Sequence, residues 1–342
     1  MNVTTVGIDL AKSVFQVHGV DQRGKPVVQK RLRRKQVLTY FAQLPPCLVG
    51  MEACGGAHYW ARKLQAQGHT VKLMAPQFVK PYVKANKTDA ADAEAICEAV
   101  TRPTMRFVPI KNADQHAVLS LHRAREGFVK ARTAQANQIR GLLGEYGITL
   151  PQGISHVTNR LPDIVEDAEN DLPDIFRGLL ERLRAHLIEL DRQVQELEGL
   201  INAWHRSNED SQKLAQIPGI GPLTASALTA SIGDARCFHN GRQLAAWLGL
   251  VPRQHSSGGK TLLLGISKRG DAYLRTLMIH GARSVVRVAE NKTTPTDQWT
   301  TEMLARRHKN IAAVARANKN ARVVWALLAH RRDYNADHKL AA

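Results

Sequence analysis

Phe176, Leu180, Leu183, Leu187, Leu190, Val194, Leu197, Ile201 and Trp204 follow one another at alternating spacings of four and three. That repeat keeps an apolar stripe on one side of an α-helix for about four heptads, which no strand or loop can do. A stripe of this length has to be covered, either by a helix of the same chain folded back as a hairpin or by another copy of the chain. Self-association through a coiled coil, as a homodimer or homotetramer, is the expectation, and the intramolecular hairpin is its alternative. Residues 160–210 hold 13 acidic and 6 basic side chains, a balance that turns this arm toward protein or solvent and away from polyanions.

On the amino-terminal side of the stripe the pattern changes. Val3 to Leu10 ("VTTVGIDL"), Val14 to Val20 and Val27 to Leu32 are short β-rich runs, the last two joined by the turn "DQRGK", and they read as an antiparallel meander. A helix over Gln36 to Gln43 follows, then Pro45 and Pro46, the strand "CLVGM", a helix over Ala57 to Gln67 and a strand at Thr70 to Met74. A meander followed by αβαβ predicts an α/β domain of the ribonuclease-H-like, resolvase-like type over residues 1–112. From Asp114 the chain reads as helical, giving a helical coiled-coil region over 113–210 and a mostly α-helical third domain over 211–342. With 342 residues there is material for two or three cores.

Charge narrows the partners. The chain has 48 Lys+Arg against 30 Asp+Glu, a formal +18, and such a surplus repels itself unless a polyanion compensates. Nucleic acid is the first choice and an anionic membrane surface the alternative. From Lys260 onward there are 16 basic and 6 acidic residues, so much of the polyanion contact is expected there. The longest uncharged stretch, Leu214 to Gly233, is interrupted by Pro218, Pro222 and glycines, which excludes a membrane helix. No charged-then-apolar leader precedes the first strand, so a cytoplasmic location is expected. Cys47, Cys54, Cys97 and Cys237 show no close metal-type pairing and read as reduced thiols.

Asp9 ends the first strand and Glu52 follows "CLVGM" in the same manner. If those strands are neighbours, two carboxylates converge at one rim, an arrangement that repels itself unless a cation sits between them. In "NKTDAADAEAICEAV" Thr88 or Asp89 caps a helix, and Asp89 and Asp92, three apart, share one of its faces. Each of these residues is also the kind that simply ends a strand or caps a helix. As a set, four hard oxygen donors suit a pair of Mg²⁺ or Mn²⁺ ions acting on a phosphodiester.

The carboxyl-terminal part carries three further motifs. "PGIGPLTA", Pro218 to Ala225, resembles a helix-hairpin-helix, with Gly219 and Gly221 in the turn and backbone N–H groups able to hold a phosphate; an ordinary helical corner is the alternative. In "SKRGDAYLR", Lys268, Arg269 and Arg275 read as phosphate contacts, or as a solvated basic face. The loop "GLVPRQHSSGGK", residues 249–260, places two serines before two glycines among Arg253, His255 and Lys260. A serine becomes a nucleophile when a metal, base or cationic cluster eases loss of its proton, and glycines let a phosphate approach. Ser-Gly pairs are equally common in plain turns.

"GIDLAKSVFQV", "GMEACGGAHYWARKL", "NKTDAADAEAI", "IPGIGPLTASALTASIGD", "LAAWLGLVPRQHSSGGK" and "GISKRGDAYLRTLMIHGA" together resemble the DEDD transposases of bacterial insertion sequences, the family that includes the Piv-type DNA invertases. The resemblance implies an Asp-Glu-Asp-Asp metal site, which falls on Asp9, Glu52, Asp89 and Asp92. It implies a catalytic serine in a Ser-Gly element, which falls on Ser257, with Ser256 as the rival register. It further implies element ends and target DNA as substrates, an element-encoded bridge RNA that pairs with both, and action at the bacterial nucleoid. The metal site would then activate the serine, and a covalent protein–DNA bond would conserve the phosphodiester for rejoining. Two other functions stay open: a metal-dependent junction resolvase in which Ser257 is a turn residue, and a non-catalytic nucleic-acid-binding scaffold.

Overall fold

The structure, a computed structural model, describes residues 2–84, 88–291 and 294–336; Asn86 and Lys87 of the third motif lie outside them. The chain divides into two compact units, Met1–Gln115 with Ile232–Cys237, and His116–Ser231 with Phe238–Ala342.

The first unit is built on a sheet of β1 (Thr5–Leu10), β2 (Val14–Val20), β3 (Pro26–Arg33), β4 (Leu48–Glu52), β5 (Thr70–Met74) and the short β6 (Phe107–Val108). Its order is β3-β2-β1-β4-β5-β6, with β1, β2 and β3 antiparallel, β1, β4 and β5 parallel, and β6 antiparallel to β5. This mixed sheet is consistent with the ribonuclease-H-like arrangement expected from the meander-then-αβαβ pattern. The helices are α1 (Val37–Ala42), α2 (Ala57–Ala66), α3 (Pro76–Val79) and α4 (Asp89–Val100). β1 sits at the centre and is covered on both faces: Val6 and Ile8 pack with Phe41, Trp60 and Leu64 on the side of α1 and α2, while α4 covers the other side. Alternation along the strand assigns Gly7 to the α4 face. A Cβ there would lie 2.2 Å from the Ala93 carbonyl oxygen and 2.4 Å from the Cys97 nitrogen, so the helix sits on bare backbone.

The second unit is mostly helical. It comprises α5 (Ala113–Gly144, whose first turn begins in the other unit), α6 (Ile154–Glu166), α7 (Asp174–Ser207), α8 (Glu209–Ala215), α9 (Pro222–Ile232), α10 (Gly241–Trp247), α11 (Ala272–Val288), α12 (Pro295–Arg306) and α13 (Lys309–His330). A two-stranded hairpin, β7 (Pro252–Ser257) and β8 (Lys260–Ile266), interrupts the helices. No helix among the described residues is long and apolar enough to cross a membrane.

The heptad seam finds its cover inside the chain. Phe176, Leu180 and Leu187 of α7 are buried with Ala136, Ile139 and Leu143 of α5 and Val157 and Leu161 of α6. The pairing with α5 is antiparallel: Arg125 donates to Glu198 (2.8 Å), Arg132 pairs with Asp191, His186 Nδ1 stands 2.8 Å from Gln135 Oε1, and Tyr146 stacks on Phe176. The stripe expected to associate with a second copy is thus used as the core of a helical hairpin. Each of its fully buried leucines contributes about 1.5–3 kcal/mol by leaving water.

Candidate active site

Asp9 and Glu52 stand side by side. β1 and β4 are in parallel register through Ile8↔Met51, so the next step aligns Asp9 with Glu52 at the carboxyl ends of both strands. Alternation gives Asp9 the face of Gly7 and Glu52 the face of Gly50, the side covered by α4. α4 runs against β1: Ala93 abuts Gly7, and further along the helix the Cys97 thiol donates to the Thr5 carbonyl at 3.7 Å. The amino-terminal turn of α4 therefore lies at the Asp9 end of the strand. That turn starts at Thr88, whose hydroxyl accepts from the Ala91 N–H at 3.2 Å, and it carries exposed Asp89 and half-buried Asp92. The thiol of Cys54 registers the convergence of the two strand-end carboxylates: burial raises its pKa first, and the negative charges of Glu52 and Asp9 raise it further.

Ser257 occupies a different kind of place. The segment expected as a loop is a β-hairpin whose strands are exposed on both faces except at Ile266. Gly258 (φ 54°) and Gly259 (φ 75°) form its turn; two successive left-handed residues are what a tight two-residue turn between twisted strands requires. The register pairs Ser257 with Lys260, Ser256 with Thr261, His255 with Leu262 and Gln254 with Leu263. Opposed residues share a face and successive ones alternate. One face thus holds Ser257, Lys260 and His255, and the other holds Ser256, Thr261 and Gln254. Ser256 Oγ accepts a hydrogen bond from the Gln254 amide at 2.9 Å.

The base of this hairpin is tied down by residues expected to meet phosphate. The Lys268 N–H donates to Gly249 O (3.1 Å), and half-buried Arg275 donates to Leu248 O (3.4 Å) and Arg269 O (3.2 Å). Lys268, Arg269 and, at the start of β7, Arg253 have exposed side chains. Gly219 packs closely on α11, where a Cβ would lie 2.7 Å from Gly281 O, whereas Gly221 faces open space. Behind the hairpin, α11 is anchored through Tyr273. His122 of α5 is 1% exposed; its Nδ1 is 2.9 Å from Tyr273 Oη and its Nε2 is 3.0 Å from Ser226 Oγ, which itself donates to Pro222 O at 2.7 Å. With the serine proton committed to Pro222, the imidazole donates from Nε2 and accepts at Nδ1, which is the neutral form. Burial, and then the charge of Arg125, push its pKa down to about 4.

A family model described as a transposase, of the DEDD type found in IS110 elements, matches residues 6–148, and the model of the "Transposase IS116/IS110/IS902 family" matches residues 211–296. The chain is 55% identical to a "Probable family 20 transposase" of Pseudomonas aeruginosa over 98% of its own length and 99% of that protein's. The chain belongs to the IS110 family of transposases. The transposase is also 45% identical to the "Transposase for insertion sequence element IS1111A" of Coxiella burnetii, over 97% of its own length and 92% of the relative's. Over a shorter stretch, 21% of each chain, it is 40% identical to the "Pilin gene-inverting protein" of Moraxella bovis. It is accordingly an enzyme that cleaves and rejoins DNA.

A divalent metal is typical of such transposases, and the donors at the rim fit one chemically. They are hard carboxylate oxygens on two adjacent strand ends and one helix turn. Among the described residues no group of three or more His, Cys, Asp or Glu is gathered tightly enough to form a cage by itself. Mg²⁺ commonly takes one or two carboxylates and completes its shell with water and substrate phosphate, so an open rim suits it.

One feature of the transposase lies outside its motifs. Lys30, Arg31, Arg33, Arg34 and Lys35 crowd the edge strand β3 and the turn after it, and none forms an ion pair among the described residues. Arg34 lies over the rings of Trp60 (5.0 Å) and Phe15 (6.0 Å), and Lys30 over Tyr40 (4.9 Å). The signal was present as a run of cations, a recognised mark of nucleic-acid patches.

Proposed function

We propose that this transposase excises and inserts its mobile element through a covalent intermediate on Ser257, at sites chosen by a structured non-coding RNA encoded by the element. The observation that carries the reading is the hairpin register: Ser257 shares an exposed face with His255 and Lys260, while Ser256 is turned away and hydrogen-bonded. In the reaction the Ser257 oxygen attacks a backbone phosphorus, forming an O–P bond as the bond to one bridging oxygen breaks. His255 takes the serine proton and gives it to the departing oxygen, so that strand leaves as a hydroxyl. The hydroxyl of the receiving strand then attacks the same phosphorus, and its proton passes through His255 to the serine oxygen that is released. Lys260 offsets charge on the phosphate, and Arg253, Lys268, Arg269 and the turn at Gly219 and Gly221 hold neighbouring backbone.

Asp9, Glu52, Asp89 and Asp92 would hold Mg²⁺ or Mn²⁺, which supplies neutralisation of phosphate charge when bound. Within this reading residues 1–112 are the resolvase-like catalytic domain, 113–210 the helical arm and 211–342 the serine-bearing domain. The enzyme works at the bacterial nucleoid as a dimer or tetramer. The RNA guide rests on the family resemblance; the basic surfaces that form no ion pair among the described residues suit backbone recognition of any such polyanion and would leave base reading to pairing.

The test is a denaturing gel of labelled element-end DNA quenched during reaction, with mass spectrometry of the linked peptide and sequencing of any RNA that copurifies. DNA bound through Ser257 is the expected result. Cleaved DNA free of protein throughout would instead make the enzyme hydrolytic and the serine a turn residue.

A further inference from the structure

In the helical unit, the start of α10, the last turns of α13 and the segment Arg332–Asn335 beyond it enclose a cavity of about 500 Å³, within the roughly 300–1,000 Å³ of small-ligand sites. Its interior is apolar: Ile217 and Leu327 are buried, and Val323 and Ala326 add aliphatic surface. Its wall is cationic, with Arg242, Lys319, Arg322 and Arg332 set against the one carboxylate lining it among the described residues, that of Asp333. None of the four cations makes an ion pair among the described residues.

Lys319 shows what this arrangement costs. It is half-buried, lies 4.4 Å from the centre of the Trp299 ring, and has its pKa lowered by burial and then by the charges of Arg316 and Arg322. A cation drawn partly out of water among other cations is unfavourable until an anion joins it. Trp325 adds a fixed aromatic surface. Its indole N–H donates to Phe238 O at 3.0 Å and its ring meets His330 edge-on at 5.1 Å, so little conformational freedom remains to be lost when something packs on it.

An apolar interior, a fixed aromatic ring and a crown of unpaired cations match the parts of one chemical class. A heterocyclic base fills the first two and a phosphate meets the third. A base inside a duplex has both faces covered by its neighbours and cannot enter a cavity of this size, so the ligand has to be out of the stack. We propose that the cavity receives one unpaired nucleotide of the nucleic acid this transposase handles, its base inside beside Trp325 and its phosphate among Arg242, Lys319 and Arg322. This rests on the reading of the chain as a nucleic-acid recombinase, and it assigns no part of the chemistry to the cavity. DNA and RNA both offer such a nucleotide, at a junction or in a loop.

The experiment uses the full chain and short duplexes that are identical except for one bulged nucleotide, in a DNA series and an RNA series, with anisotropy measured at one fixed salt concentration. A bulge should tighten binding by roughly tenfold or more, the value of one base–aromatic stack. Trp325→Ala removes the aromatic ring, and Ala326→Leu fills the cavity without altering any charge. Each should erase the preference for the bulge while affinity for the paired duplex stays near wild type; Trp325→Ala also gives up the bond to Phe238 O and should lower the melting temperature, whereas Ala326→Leu should not. A preference in either series or both supports the inference, and the series names the source of the nucleotide. Equal binding of bulged and paired duplexes by the wild-type chain overturns it. So does a preference that survives both substitutions, or competition by inorganic phosphate as strong as by a mononucleotide. Should the bulge be ignored while DNA still becomes linked to Ser257, only the cavity assignment fails; a bulge preference without any serine linkage would sink the covalent mechanism alone.

Discussion

The carboxylate rim and the serine hairpin are both candidate parts of one activity, yet they are made in opposite ways. The rim is over-determined: Asp9 and Glu52 extend strands paired on both sides, and α4 lies on the bare backbone of Gly7. The hairpin is under-determined, since both faces of β7 and β8 are exposed and only its base is held. A lone two-stranded hairpin is marginal in water, so little beyond its base fixes its geometry. The contrast teaches a division of labour. Carboxylates held close together need a rigid frame, whereas a covalent serine, as proposed for Ser257, would benefit from a support that can follow the strand it joins.

Activity is where the two regions should converge. On the proposed mechanism Ser257→Ala removes the atom that would bond to DNA and Asp9→Ala a donor of the rim, so each should reduce strand joining to background. Ser257→Ala should leave the fold intact because Ser257 is exposed, and for Asp9→Ala the melting curve separates loss of a donor from loss of stability. Strand-joining assays with melting curves decide this. Wild-type joining by either variant would remove that region from the active site.

Acid should separate them. His122 supports α11, directly after the hairpin, and its pKa of about 4 lies below the 6.5 of the free side chain. As pH falls below 6.5 the unfolded chain takes up the proton first, so stability is complete above 6.5 and is lost progressively toward pH 4. The loss amounts to about 3 kcal/mol at most. Hydrogen exchange should show amides of α11 opening in this window while those of β1 stay protected, and His122→Gln should flatten the pH dependence. An unchanged slope in that variant would mean that other groups govern acid sensitivity.

The same methyl group should have unequal effects in the two places. Gly7→Ala drives a Cβ into the backbone of α4 and should cost about 1–3 kcal/mol by overpacking. Gly258→Ala meets nothing within 4 Å, and its penalty is the left-handed backbone alone, about 1 kcal/mol, confined to the hairpin. Thermal melting should fall for the first variant and hold for the second. The reverse order would show that the hairpin is integral to the core.

The two regions were also unequally legible. Asp9 and Glu52 could be read because "VTTVGIDL" and "CLVGM" are unambiguous buried strands, and a buried strand fixes what stands at its end. The hairpin reads as a loop because "PRQHSS" has neither β-branched residues nor an apolar alternation, the marks that burial imprints on a sequence. Only the Gly-Gly pair between Ser257 and Lys260 betrayed a two-residue turn. The heptad stripe was legible as a helix and illegible as to its partner, since a stripe records that it is covered and not by what. α5 answers it with Ala136, Ile139 and Leu143, at the same spacings of three and four, but Arg132 occupies the preceding position of that series, so the repeat is too short to announce itself. Lys30 to Lys35 were masked by lying in a strand whose buried residues Val28 and Leu32 had already accounted for it.

Ser256→Ala should have the smallest effect and bears most directly on the hairpin. By register Ser256 faces away from Lys260 and His255, and the hydroxyl's visible role is to accept from Gln254. Losing one exposed hydrogen bond costs at most about 1 kcal/mol, and less when water replaces the partner. Strand joining should therefore remain close to wild type, with the DNA-linked peptide still modified at Ser257. A two-residue period makes the expectation strict: a slip of one residue along β7 would exchange the faces and bring Ser256 beside the cations. Linkage found on Ser256, or joining lost in Ser256→Ala and kept in Ser257→Ala, would mean that the hairpin shifts register when DNA binds. The support of the nucleophile would then be mobile in a stronger sense than exposure alone implies.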